Sequence, residues 1–191
     1  MIRKLMLVMA LLAGGITAKS QDVGIKTNLL MDATLNVNAG VEVGLAPHWT
    51  LDLTGQYTGW AVDNKRWKNW LAQPEARYWF CDRFAKHFLG FHAIGLGYNW
   101  GNLDMDFKFL GTDFRQLKDY RFQGWGAGAG VAYGYAWIIN KHWNIEAEIG
   151  LGWIYLNYDK YECQNCGKKA GSGHHNYVGP TKLALNLEYL F

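Results

Sequence analysis

The last eleven residues, Thr181 to Phe191, constrain this chain more than any other segment. Leu183, Leu185, Leu187, Tyr189 and Phe191 form an unbroken period-two apolar row, with Lys182, Ala184, Asn186 and Glu188 between them. Successive strand side chains point to opposite faces. The segment is therefore expected to be a strand with one greasy, aromatic face and one polar, charged face.

The N-terminus has a different character. Arg3 and Lys4 precede an apolar run from Leu5 to Gly15, and Ala18 and Ser20 occupy small-residue positions. That arrangement reads as a signal peptide, residues 1–20, ahead of a single domain, 21–191. The run falls short of the roughly 20 residues a membrane-spanning helix needs. Arg3, Lys4 and Lys19 are three of the 19 basic residues, and residues 1–20 hold no acid, so 21–191 carry 16 of each sign. Basicity confined to the signal removes the support for a nucleic-acid partner. No later segment offers about 18 consecutive apolar residues, which excludes a helical membrane protein. Half the chain is nevertheless hydrophobic, with 10 Trp, 11 Tyr and 23 Gly against 3 Pro. A closed sheet whose outer surface lies in lipid accounts for that balance.

Alternation recurs along the chain and gives eight expected strands. The first spans 23–33, with Lys26 on the polar face. The second spans 37–45, with Glu42, and the third 49–60, with Asp52. After a polar loop over 63–69, the fourth, 70–80, sets Gln73, Glu75, Arg77 and Trp79 against Ala72, Pro74, Ala76, Tyr78 and Phe80. The fifth, 88–100, is poorly patterned. Ile94, Leu96, Tyr98 and Trp100 are expected outward, Ala93, Gly95 and Gly97 inward, and His92 on the outer side near an edge. A long loop over 101–119 follows. The sixth, 124–137, opposes Trp125, Val131, Tyr133, Tyr135 and Trp137 to a row of glycines. The seventh, 143–153, carries Glu146 and Glu148 on its polar face. A second long loop, 157–176, leads to the terminal strand.

An even strand number puts both ends on the periplasmic side. Residues 46–48, 81–87 and 140–142 then become short periplasmic turns, and the loops after strands three, five and seven face outward. A soluble barrel of this size holds its apolar residues inside around a ligand. Here the aromatic face is broad and the opposite face carries Lys26, Glu42, Asp52, Glu75, Arg77, Glu146, Glu148 and Lys182. An eight-stranded interior is just wide enough for its own side chains. The expected fold is all-β, an eight-stranded antiparallel transmembrane β-barrel. The interior charges are read as a satisfied salt-bridge plug in preference to a proton or solute path, and the glycine rows as room for Arg77, Trp79 or Arg121.

The terminal strand, closing on Tyr189 and Phe191, resembles the C-terminal assembly signal that the barrel-assembly machinery reads in outer-membrane proteins. Beyond it, Lys26–Leu30, Trp49–Leu53, Trp67–Cys81 and Tyr158–Lys168 look like segments of a Bacteroidetes family of unknown function, and the likeness spans nearly the whole mature chain. That resemblance implies short secreted outer-membrane barrels, often found beside fimbria-type surface genes. It implies no reaction and transfers no catalytic residue.

The most site-like cluster is Cys163-Gln-Asn-Cys166 with Lys168, Lys169, His174 and His175 nearby. A disulfide between Cys163 and Cys166 suits an extracytoplasmic loop. The alternative is a zinc site of Cys163, Cys166, His174 and His175, although paired zinc histidines usually stand three to five residues apart. Lys168, Lys169, His174 and His175 can instead face a binding partner. Cys81 stands alone in a turn. The single serine after residue 20, Ser172, lies beside His174 and His175 on a glycine-rich segment, a poor frame for a preorganised nucleophile.

The sequence thus points to a non-catalytic protein of a Gram-negative outer membrane, needing no cofactor, whose partners are lipids, the barrel-assembly machinery and a surface or fimbrial protein. The alternatives are a lipid A-modifying enzyme of similar architecture and a small-solute pore.

Overall fold

The computed structural model describes residues 22–191 apart from 60, 63–64, 102–107, 110–111, 114, 116–119 and 163–166, with backbone alone at 61–62, 65–66, 108–109 and 112–113. The expected signal peptide lies outside these residues. Eight long strands are present: β1 (Val23–Asn28), β2 (Val37–Ala46), β3 (Trp49–Thr58), β4 (Lys65–Trp79), β5 (Lys86–Gly101), β6 (Arg121–Ile138), β7 (Trp143–Tyr161) and β8 (Lys169–Leu190). Each pairs antiparallel with its sequence neighbours, and β8 pairs with β1, so the hydrogen bonds close into a ring. No helix among the described residues is long and apolar enough to cross a membrane.

The ring is uneven. β1 meets β8 only from Gly24↔Leu190 to Asn28↔Asn186, whereas β7 meets β8 as far out as Tyr161↔Lys169. From β4 round to β8 the sheet rises well above β1, β2 and β3. Much of the expected 157–176 loop is ladder, and the expected 63–69 loop is strand from Lys65 onward. Among the described residues of the expected 101–119 loop, Lys108–Phe109 pairs with Thr112–Asp113.

The first strand is shorter than expected. Asn28 Oδ1 accepts the Leu30 N–H at 3.1 Å and caps a single helical turn, α1 (Leu29–Ala33). The Thr34 hydroxyl donates to the Met31 carbonyl at 2.9 Å, and Leu35, at φ 58°, ends the turn. A side-chain cap at the strand's end outcompeted continuation of the period-two pattern.

Five of the eight faces fall as expected over their full strands, and the first does so up to Asn28. Lys26, Glu42, Asp52, Glu75, Arg77, Glu146 and Glu148 all point inward and are buried. On β8, Leu183 and Phe191 point outward, and Lys182, Asn186 and Glu188 inward. A bulge at Thr181, beside Pro180, shifts the parity of β8 above that point.

β5 is reversed. Ile94, Tyr98 and His92 are buried inside, while Phe91 and Ala93 are exposed. Polar partners set this register: His92 Nδ1 lies 3.4 Å from Glu75, and its Nε2 lies 2.9 Å from the Thr181 hydroxyl. The glycines of β6 make the room, but for β5 rather than for Arg77, Trp79 or Arg121. A Cβ on Gly130 would come within 2.6 Å of His92 Nε2, and one on Gly134 would collide with the Phe88 ring.

Candidate functional site

The interior is stacked in tiers. At the base, left-handed backbone at Phe84 (φ 61°) and Lys86 (φ 63°) folds the 81–85 turn into the ring's mouth. Phe84 is thereby buried, and its carbonyl accepts the Asn144 amide at 2.8 Å. Above it lies Trp79, with ring centroids 6.1 Å from Phe84 and 4.6 Å from Phe88. The Trp79 indole donates to Thr50 at 2.9 Å, and Thr50 donates to Glu42 at 2.5 Å. The Arg77 guanidinium sits 4.5 Å above the Phe88 ring. An aromatic stopper thus passes directly into a charged layer.

Arg77 organises that layer. Its Nε donates to Glu75 at 2.6 Å, Nη1 to Glu42 at 2.5 Å and Nη2 to Glu148 at 2.8 Å. Asp52 and Glu146 each lie 3.2 Å from the same guanidinium. Lys26 pairs with Glu42 and reaches Glu146 at 3.2 Å and Glu188 at 3.7 Å. Lys182 donates to Glu75 at 2.8 Å and lies 3.2 Å from Glu148. Such buried groups hold only when paired and hydrogen-bonded, because desolvating each ion costs several kcal/mol. The carboxylates Glu42, Asp52, Glu75, Glu146, Glu148 and Glu188 face the cations Lys26, Arg77 and Lys182, with His92 alongside. Both oxygens of Glu188, and Oδ1 of its cross-strand neighbour Asn144, have no hydrogen-bond partner.

Ligand oxygens of Glu42, Glu146 and Glu188 lie within 4.8 Å of one another, a spacing that could hold a metal ion. The Lys26 ammonium contacts all three, so a lysine occupies that cage. Above the charges a recess of about 180 Å³ is lined by Asn28, Asn38, Thr54, Gln56, Leu71 and Gln73.

The chain matches the model of a family described as protein of unknown function (DUF3575) over residues 6–191. It belongs to that family. No curated protein and no solved structure matches. Membership in DUF3575 covers nearly the whole chain and brings no reaction with it, so function has to be argued from this chain's own residues.

The outer cluster is only partly assembled. Cys163 and Cys166, in either the disulfide or the zinc reading, lie outside the described residues. Lys168 is exposed, and Lys169 opens β8 in an ion pair with Asp159 at 2.6 Å. His174 and His175 occupy consecutive strand positions, so their side chains leave on opposite faces. His174 stacks on Tyr155 with ring centroids 5.8 Å apart. At the base, Cys81 is an exposed free thiol. Tyr189 and Phe191 meet edge to face at 5.0 Å, and the Phe191 N–H donates to the Val23 carbonyl at 3.0 Å.

Sequence reasoning placed Lys182 among the interior charges, and Glu188 on the polar face but not among them. The signal for Glu188 was available, since it lies in the same period-two row as Lys182. His92 was missed because its strand's pattern is dominated by interior apolar residues.

Proposed function

We propose that this DUF3575 chain is a transmembrane β-barrel of the outer membrane, non-catalytic, that anchors a tall outer hairpin for a protein partner at the cell surface. The observation that carries the reading is inverted polarity. Ile25, Val41, Leu53, Val131, Ile149, Leu151 and Leu183 are exposed, while the six carboxylates are buried. A soluble protein rarely leaves so continuous an apolar surface bare.

The aromatic residues add a dimension. Trp49, Tyr78, Phe80, Trp137, Trp143 and Phe191 surround the base, and Tyr57, Trp70, Trp125 and Trp153 lie higher. Trp49 and Tyr57 are eight residues apart on β3, a span close to the roughly 9–11 residues with which a tilted strand crosses a bilayer between two aromatic girdles. The strand-end aromatics then serve as interfacial anchors.

The stacked Phe84, Trp79 and Arg77 support a plug over a pore. Conductance in planar bilayers tests the pore reading, for which a closed interior gives no unitary steps. Density fractionation with heat-modifiable gel migration tests membrane residence, and recovery of the chain in the soluble fraction would overturn it. The lipid A-modifying alternative predicts a mass shift of one acyl chain in the lipid A of a deletion strain, and the anchoring reading predicts none.

A further inference from the structure

Above Asn186, β8 has β7 as its only ladder neighbour among the described residues. Strand handedness decides which N–H groups this leaves unpaired, because side-chain face and N–H edge are locked together in a strand of fixed direction. Leu185 points outward and sends its N–H to Asn28 on the β1 side. Phe191, also outward, sends its N–H to Val23 on that side, whereas buried Leu190 sends its own to His142, beside β7. Beyond the bulge at Thr181, and as far as a second bulge at Ala170, the outward residues are Ser172, His174, Asn176, Val178 and Pro180, all exposed. Their edge is the free one. Pro180 fits the row, since its missing N–H would have faced away from β7.

Native proteins blunt exposed strand edges with charges, prolines or a cover. Between Ala170 and Gly179 there is no Lys, Arg, Asp, Glu or Pro. Lys169, just before the stretch, is paired with Asp159. A Cβ on Gly171 would meet nothing within 4 Å, so there is room beside the edge for larger side chains.

We propose that the edge from Ser172 to Val178 receives one extended, uncharged segment of a second, different protein, which joins the sheet as a strand beside β8. The inference rests on the surface-anchor reading. A second copy does not suit the edge. Two copies in one membrane run β8 in the same direction, related by a twofold axis parallel to the strands. That symmetry sets equivalent residues at equal height, whereas a parallel ladder needs the facing residues offset by one. Main-chain bonding of this kind gives affinity through the backbone and specificity through alternate side chains.

The experiment is residue-resolved hydrogen exchange at Ser172, His174, Asn176 and Val178. It compares the full chain purified into nanodiscs with the chain in outer-membrane vesicles shed by its own cells. The amides are expected to exchange freely in nanodiscs and at least about tenfold more slowly in vesicles. S172P with N176P removes two edge donors without touching the β7 ladder, and S172A with N176A keeps them. The alanine pair should retain the slowing, and the proline pair should lose it at the remaining amides. Protection already present in nanodiscs means that this chain or a second copy covers the edge, and overturns the proposal. Slowing that survives the proline pair, or that falls only on other outer residues, overturns strand addition while leaving a surface partner in place. No slowing anywhere on the outer face overturns both readings.

Discussion

The Asn28 carboxamide donates to the Leu183 carbonyl at 3.2 Å, across the gap where β1 has already ended. Its oxygen accepts the Leu185 N–H at 3.3 Å. One side chain thus supplies the acceptor that Leu29 and the donor that Met31 would have offered had β1 continued in register. Asn28→Asp keeps the acceptor and removes the donor, leaving the Leu183 carbonyl unmet. A loss of roughly 1–3 kcal/mol is expected in urea unfolding, with Asn28→Ala at least as costly. An unchanged midpoint in both variants would show that the gap is satisfied in another way.

The charged layer separates two kinds of carboxylate. Arg77→Met strips a shared cation from Glu42, Asp52, Glu75, Glu146 and Glu148, and should cost about 3–5 kcal/mol or prevent assembly. Glu188 accepts no hydrogen bond, so Glu188→Gln removes a poorly compensated charge and should be neutral or stabilising. Equal destabilisation by the two variants in one unfolding assay would refute the hierarchy.

Gly134 and Gly171 should respond oppositely to alanine. At Gly134 the methyl meets the fully buried Phe88 ring, and overpacking of this kind typically costs about 1–3 kcal/mol. At Gly171 there is open space, and loss of glycine's unfolded-state freedom makes the change neutral or slightly favourable. Thermal midpoints of the two variants give the comparison.

If the outer face meets lipid, Leu187→Arg should cost roughly 2–4 kcal/mol near the bilayer midplane. Gln56→Arg, in the inward recess, should be tolerated. Folding yields into vesicles of defined lipid measure both, and equal tolerance would sink the face assignment.

Thiol labelling of folded chains distinguishes the cysteines. Cys81 is exposed and should label at once. With a disulfide, Cys163 and Cys166 label only after reductant. Labelling after a chelator alone identifies metal ligation.

Where one face is charged and the other apolar, period-two reading located strands and faces, as with Glu146 and Glu148 against Ile145 and Ile149. It failed on β5, because the upper interior is itself apolar and both faces of that strand are hydrophobic. It failed at Leu29, where a capping side chain redirects the backbone without disturbing the alternation. Loop bounds were misjudged where strands continue above the expected bilayer, since Gly171 to His175 carries turn-like residues on an extended backbone. The charge network was legible as a polar face. Its hierarchy, with Arg77 at the hub and Glu188 outside it, depends on ring closure and could not be read from spacing.

The short seam between Gly24–Asn28 and Asn186–Leu190 joins the first strand to the last. The ring consequently has no smaller closed form, since losing β8 strands the whole length of β7 and all of β1 as bare edges. Damage near the C-terminus should leave an open, adhesive sheet, an aggregation hazard rather than a smaller ring.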